Sequence, residues 1–130
     1  MKSSTHLKIT TSDGGILQLS NPFKYCKDTF EFDLKVSSGG FSYIGNFLIS
    51  NIFQNILELK DMNETLSGST TLKESFMDSF IKLEMLELGH LNIEVFVTDL
   101  AKDNSIRVFL DSDQTILKEL IEFFELVISK

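Results

Sequence analysis

Tryptophan is absent from this 130-residue chain, cysteine and proline occur once each, and histidine occurs twice. The single cysteine, Cys26, excludes an intrachain disulfide and any cysteine-based zinc site, and it fits a reducing compartment. Its neighbours Tyr25 and Lys27 make no nucleophile motif, so the thiol reads as inert packing. His6 and His90 each stand alone, without the paired helical spacing of a zinc hydrolase, so neither a metal nor a cofactor is expected. No apolar run approaches the roughly 20 residues of a membrane span. The opening Met1-Lys2-Ser3-Ser4-Thr5-His6 is polar rather than signal-like, so a cytoplasmic protein with no membrane partner is expected.

Positive charge is also scarce. Twelve basic residues face nineteen acidic ones, for a formal net charge of -7. The imbalance is uneven, because residues 1–27 carry +3 and the remainder -10. A surface of that sign repels phosphate backbones, and on this ground nucleic acid is not expected as a partner. It serves either as a solubilising shell or as a face that attracts a basic protein.

The usual catalytic signatures are missing too. Phosphate-binding loops need their glycines between a strand and a helix N-terminus, whereas Asp13-Gly14-Gly15 and Ser38-Gly39-Gly40 each fall between expected strands. No Gly-x-Ser-x-Gly elbow occurs. The strand acids alternate with apolar residues as solvent-facing positions do, so carboxylate pairs such as Glu31 with Asp33, or Glu84 with Glu87, read as exposed, solvated acids. The reading is therefore not an enzyme.

What is present is a phenylalanine-rich apolar content, with 12 Phe, 42% hydrophobic and 24% charged residues. That is ordinary for a chain that folds alone, and 130 residues suffice for one core. No linker, repeat or low-complexity tract divides residues 1–130, which read as a single domain.

Period-two alternation is cleanest over 28–36, where Phe30, Phe32, Leu34 and Val36 share one face and Glu31, Asp33 and Lys35 the other. Gly39-Gly40 turns this strand into another over 41–49, in which Gly45 marks a bulge or a close approach. Two shorter strands, 7–11 and 16–19, precede it, and Asn21-Pro22 makes 20–27 a connection. Helical periodicity follows over 51–63, with Ser50 or Asn51 as cap and an apolar stripe of Ile52, Phe53, Ile56 and Leu57. Strands are expected at 69–74, 80–87, 91–100 and 106–110, with turns at Gly89-His90 and Asp103-Asn104. A final helix over 114–129 carries a broad apolar stripe and has Asp113 as N-cap. Short turns between strands make the sheet antiparallel, and the apolar helices need its face. The fold class is α+β: an antiparallel β-sheet of about six to eight strands, with a mid-chain helix and a C-terminal helix packed on it.

The order of several segments resembles the WapI-type immunity proteins of bacterial polymorphic toxin systems. They are Phe30 to Val36 running into Ser38-Gly39-Gly40-Phe41, the helix 51–63 with Leu66-Ser67-Gly68, Leu88-Gly89-His90-Leu91-Asn92-Ile93, and Asp113-Gln114-Thr115 opening the last helix. The match covers about three quarters of the chain and adds little over 1–27. It departs from the family in lacking a tryptophan near the start of the long hairpin, where Thr29 and Phe30 stand. The resemblance implies a cytoplasmic protein that binds and neutralises the toxic domain of a cognate toxin. It assigns no binding residues, because Gly39-Gly40 also explains a hairpin and Asp113 a cap.

Three function classes follow. The first is an immunity protein whose acidic face, formed by Glu31, Asp33, Glu84 and Glu94, meets a basic toxin domain. The second is a small-ligand-binding or enzymatic domain, which would require polar groups such as Tyr43, His90 or Arg107 to converge on an enclosed cavity. The third is a structural or self-associating domain, suggested by Phe96 and Phe109 on the face opposite their strands' inward residues. A homo-oligomer is left open.

Overall fold

The computed structural model describes residues 6–11, 14–98 and 105–129. The chain runs β1 (His6–Thr10), β2 (Ile16–Cys26), β3 (Thr29–Ser38), β4 (Phe41–Ile49), α1 (Ile52–Thr65), β5 (Ser69–Lys73), β6 (Phe80–Met85), β7 (His90–Thr98), β8 (Ser105–Asp113) and α2 (Thr115–Ile128). A single 3₁₀ turn, Glu87–Gly89, separates β6 from β7. The class is α+β, with every strand antiparallel to its sheet neighbours. The eight strands form two four-stranded meanders, β1-β2-β3-β4 and β5-β6-β7-β8, each followed by one helix. This four-strands-then-helix repeat lies in the topology and leaves no trace as a repeated sequence. The expected turns at Asp13 and at Asp103-Asn104, and the end of the 91–100 strand, lie outside the described residues.

The alternation over 28–36 is borne out, since Phe30, Phe32, Leu34 and Val36 are buried and the intervening Glu31 and Asp33 are half-exposed. Across β4, Ile49, Phe47, Gly45 and Tyr43 oppose these four residues in register and share their face. The Phe32 and Phe47 rings stack at 5.3 Å, and Phe30 meets Phe124 of α2 at 5.9 Å. Burial of such rings supplies the main driving force, roughly 2 to 3 kcal/mol for each fully buried large apolar side chain.

Residues 20–26, expected as a connection, belong to β2. Pro22 is accommodated because the pairing with β3 slips between Ser20 and Phe23, and a bulge needs no ladder hydrogen bond from it. Asn21 takes a left-handed backbone (φ 51°) there and donates its side-chain amide to Asp33 Oδ2 at 2.7 Å. Lys24, opposite Phe30, reaches the last turn of α2 and donates to the Ile128 carbonyl at 2.6 Å, a cation at a helix C-terminus.

In α1 the buried stripe is Ile52, Ile56, Leu59 and Met62, while Phe53 and Leu57 lie exposed on the neighbouring face. The expected side-chain cap does not form. Asn51 instead adopts a left-handed conformation (φ 58°), and the Ile52 N–H points to the Asp28 carbonyl at 3.4 Å. The last helix buries Leu117, Leu120, Ile121, Phe123, Phe124 and Val127 as its apolar stripe predicts, but Asp113 closes β8 and Gln114, not Asp113, holds the N-cap position; the Thr115 N–H nevertheless donates to Asp113 Oδ1 at 2.9 Å. The helices pack on each other and are tied at the surface by Lys60 and Glu125, 2.9 Å apart.

Candidate binding surfaces

Glu74 ties the first sheet to the second. Its backbone bridges to Ile49 at the end of β4, and the Ser75 N–H donates to the Leu48 carbonyl at 2.9 Å. The Glu74 carboxylate, only 7% exposed, accepts from the Leu48 N–H at 2.8 Å and from the Phe76 N–H at 2.7 Å. Both oxygens are therefore committed to backbone, which makes this buried acid a structural clamp. Beside it, a groove of about 600 Å³ is lined by Tyr25, Leu48, Phe76 and Met77 with Thr29, Glu31 and Asn46. Tyr25 is exposed and packs edge-on against the exposed Phe23, their rings 4.9 Å apart.

The four acids singled out from the sequence fall into two pairs. Glu31 and Asp33 lie on β3 of the first sheet, and Glu84 and Glu94 lie diagonally to each other on β6 and β7 of the second. All four are half-exposed. Their surroundings differ: Asp33 accepts from Asn21, whereas Glu31 opposes Phe23 and Leu48 in register. Glu94 pairs with Arg107 at 3.2 Å and opposes Lys82, while Glu84 opposes Ser69 and Asn92 with no cation across either strand.

The outer face of the second sheet is more basic and aromatic than the net charge suggests. Lys73, Phe80, Phe96 and Arg107 align in register across all four strands. Phe80 and Phe96 stack at 5.5 Å, and the Arg107 guanidinium lies over the Phe96 ring at 5.0 Å. Lys82 and the exposed Phe109 lie in the next row. Phe96 and Phe109 thus do share an outer face, as their strand positions suggested.

Tyr43, His90 and Arg107 do not converge. Tyr43 lies on the core side of β4, His90 opens β7 opposite Asp113, and Arg107 opposes Phe96. The Tyr43 hydroxyl lies over Gly45, where a Cβ would come within 2.2 Å of it, so Gly45 marks a close approach and the register through it is unbroken. Burial, and secondarily the Glu74 charge, raise the Tyr43 pKa above the usual phenol value. Among the described residues no group of three or more His, Cys, Asp or Glu side chains could hold a metal ion, and no helix is long and apolar enough to cross a membrane.

A corner of the molecule that sequence spacing alone left scattered is assembled where the ends of α1, β6 and β8 meet the start of α2. The Met85 N–H donates to the Gly68 carbonyl at 2.9 Å, Leu86 to His90 at 2.7 Å, and Gln114 to Gly89 at 3.0 Å. Leu66-Ser67-Gly68, Leu88-Gly89-His90 and Asp113-Gln114-Thr115 are thereby brought together. Gly89 has a positive φ of 77°, and a Cβ there would meet Gln114 Oε1 at 2.9 Å. Asp113 titrates below the usual carboxylate range, chiefly because it accepts from the Thr115 hydroxyl and backbone N–H, with His90 adding a smaller electrostatic effect.

No family model and no curated protein matches the chain. Three solved structures share its fold. MRP1/MRP2 from Trypanosoma brucei superposes with a TM-score of 0.59 at 8% identity, covering 98% of this chain and 84% of that one. WHY3 from Arabidopsis thaliana gives 0.59 at 13% identity, covering 98% and 88%. The plant transcriptional regulator PBF-2 gives 0.55 at 13%, covering 98% and 82%. These likenesses overturn the exclusion of nucleic acid as a partner, since a transcriptional regulator is built on the same fold. Net charge was also a poor ground for the exclusion, because it sums the whole surface, whereas Lys73, Lys82 and Arg107 gather at one end of the second sheet's outer face, with Glu94 paired to Arg107 and with Glu84 and Asp111 toward the other end.

Proposed function

We propose that the chain is an immunity protein, which binds the toxic domain of a cognate bacterial toxin and neutralises it by occupying its active surface. The observation that carries this reading is the assembly of the three short segments into one hydrogen-bonded corner. Leu66-Ser67-Gly68, Leu88-Gly89-His90 and Asp113-Gln114-Thr115 are far apart in sequence, and each is individually commonplace. The Gln114 N–H joins the second and third directly by donating to the Gly89 carbonyl, and the end of β6 links the first to the second through Met85 and Leu86, which is what a shared family architecture would preserve. Glu84, Glu87, Asp111 and Asp113 lie at the same end of the second sheet, an arrangement suited to a basic enzyme surface. The test is isothermal calorimetry of the full chain with a purified basic toxin domain, taken from a toxin gene adjoining its own where one is present. Saturable binding at micromolar or lower concentration, with loss of that domain's toxicity on co-expression, is expected. Absence of both would remove the reading.

A second reading rests on the outer face of the second sheet. Stacked Phe80 and Phe96 with Arg107, Lys73 and Lys82 form a platform of the kind that binds single-stranded nucleic acid through stacking and phosphate contacts. The similarity to a plant transcriptional regulator favours it as well. Fluorescence anisotropy with labelled single-stranded DNA and RNA, at low and high salt, decides it: salt-sensitive binding abolished by Phe96→Ala would support it, and none at micromolar protein would remove it.

A further inference from the structure

Leu66, Leu86 and Leu88 all stand at the acidic corner with their side chains substantially in water: Leu66 is 44%, Leu86 46% and Leu88 95% exposed. With Met85 as a buried floor, and Ser67, Glu87 and His90 around them, they line an open cleft of about 750 Å³. Scattered exposed leucines need no explanation, but three around one cleft form an apolar patch of the kind that marks a contact surface.

The backbone makes the case sharper. Leu66 (φ 56°, ψ 36°) and Leu88 (φ 59°, ψ 29°) both occupy the left-handed region. Glycine or asparagine adopts that conformation with little strain, whereas a leucine is disfavoured there. At Leu88 nothing offsets the strain, because a side chain 95% exposed gains almost no burial within the chain. A residue that is strained and unburied in the free protein is explained by what it touches in a complex.

Charge selects the partner. Glu87 lines the cleft, Glu84, Asp111 and Asp113 lie at the same end of the sheet, and no Lys or Arg is among the lining residues. A second copy of this chain would bring the same acids against these, so self-association through this face meets like-charge repulsion. We infer that the cleft bounded by Leu66, Leu86 and Leu88 docks an apolar side chain of a basic protein surface, with Glu87 and its acidic neighbours steering the approach. The inference rests on the toxin-binding reading and names the surface that performs it.

Leu88→Asn tests it, since asparagine suits the left-handed backbone and removes only the apolar side chain. The full chain carrying Leu88→Asn, Leu66→Asn or Glu87→Lys is titrated with the same purified basic toxin domain. Leu57→Gln, at an exposed leucine on α1, serves as the control. Leu88→Asn is expected to keep or raise the thermal midpoint while weakening affinity at least tenfold. Glu87→Lys should slow association and reduce its salt dependence, and Leu57→Gln should bind as wild type. If the wild-type chain binds and Leu88→Asn binds equally well, this surface is wrong while the toxin-binding reading stands. Failure of the wild-type chain to bind overturns both. A wild-type dimer in sedimentation that Leu88→Asn dissolves would also overturn the inference, in favour of a second copy.

Discussion

Replacing Glu74 should cost more stability than replacing any other acid described above, and the cost can be worked from its contacts. Its carboxylate accepts two backbone N–H groups, from Leu48 at 2.8 Å and Phe76 at 2.7 Å, in a site only 7% exposed. Hydrogen bonds to a charged acceptor contribute roughly 1.5 to 3 kcal/mol each, and stranding a buried donor carries a similar penalty. Glu74→Ala strands both donors, so about 3 kcal/mol is expected, the lower end allowing for water entering from the adjacent groove. At about 4 °C per kcal/mol for a domain of this size, the thermal midpoint should fall by about 12 °C. Glu74→Gln keeps one acceptor oxygen and sets an amide against the other N–H, so it should fall about half as far. Ultraviolet titration gives an independent readout: without the Glu74 charge, Tyr43 should ionise at lower pH, though still above an ordinary phenol because its burial remains. Calorimetry showing Glu74→Ala within about 0.5 kcal/mol of wild type, a change typical of inert surface positions, would refute the clamp.

Three further perturbations are expected to act locally. Gly45→Ala would place a methyl group within 2.2 Å of the Tyr43 hydroxyl and displace that ring, lowering the thermal midpoint and moving the Tyr43 titration toward an ordinary phenol; an unchanged titration would show that the ring does not lie over Gly45. Gly89→Ala combines a positive φ with a 2.9 Å approach to Gln114, and should destabilise by about 1 to 2 kcal/mol in chemical denaturation. Because the folded-state pKa of Asp113 is lowered, its contribution is present above the ordinary carboxylate value and lost as pH falls through the folded value. Asp113→Asn should therefore flatten the acid limb of the stability profile below about pH 4, and leave a smaller change there than at neutral pH.

Much of the fold was legible because burial and period-two alternation coincide. Phe30 to Val36 and Ile81 to Met85 each alternate without interruption, with every apolar member buried, and in Leu91 to Val97 the alternation holds except that the outward Phe96 is apolar and half-exposed. Legibility failed where a local signal was overridden from a distance. Pro22 carries a strong turn signal, but the bulge in the β2–β3 ladder absorbs it, and the Asn21 side chain binds Asp33 on the neighbouring strand. On α1 the expected stripe has Ile52 and Ile56 right but takes Phe53 and Leu57 in place of Leu59 and Met62, because the two pairs are similarly apolar; which pair faces inward is settled by α2 and β5, not by the helix's own periodicity. The division into two sheets has no local signal at all, since it depends on α1 separating β4 from β5 and on the clamp at Glu74.

The candidate site was harder to read for the same reason, carried further. Alternation places Glu31, Asp33, Glu84 and Glu94 on outward faces correctly, yet it cannot say that the first two belong to one sheet and the last two to another, or that Arg107 partners Glu94. Leu88 shows the limit most clearly. In sequence it is one more leucine beside a glycine and a strand, and any hydropathy argument would bury it. Only the backbone reveals that Gly89 lets the chain turn sharply, carrying Leu88 through a left-handed conformation into solvent beside Leu66, which is held out in the same way. An apolar side chain at a strained, exposed position costs stability in the free protein, so its presence is better explained by a bound state than by folding. The signal for a binding surface here is thus a disagreement between residue type and environment, and it becomes visible only once both are known.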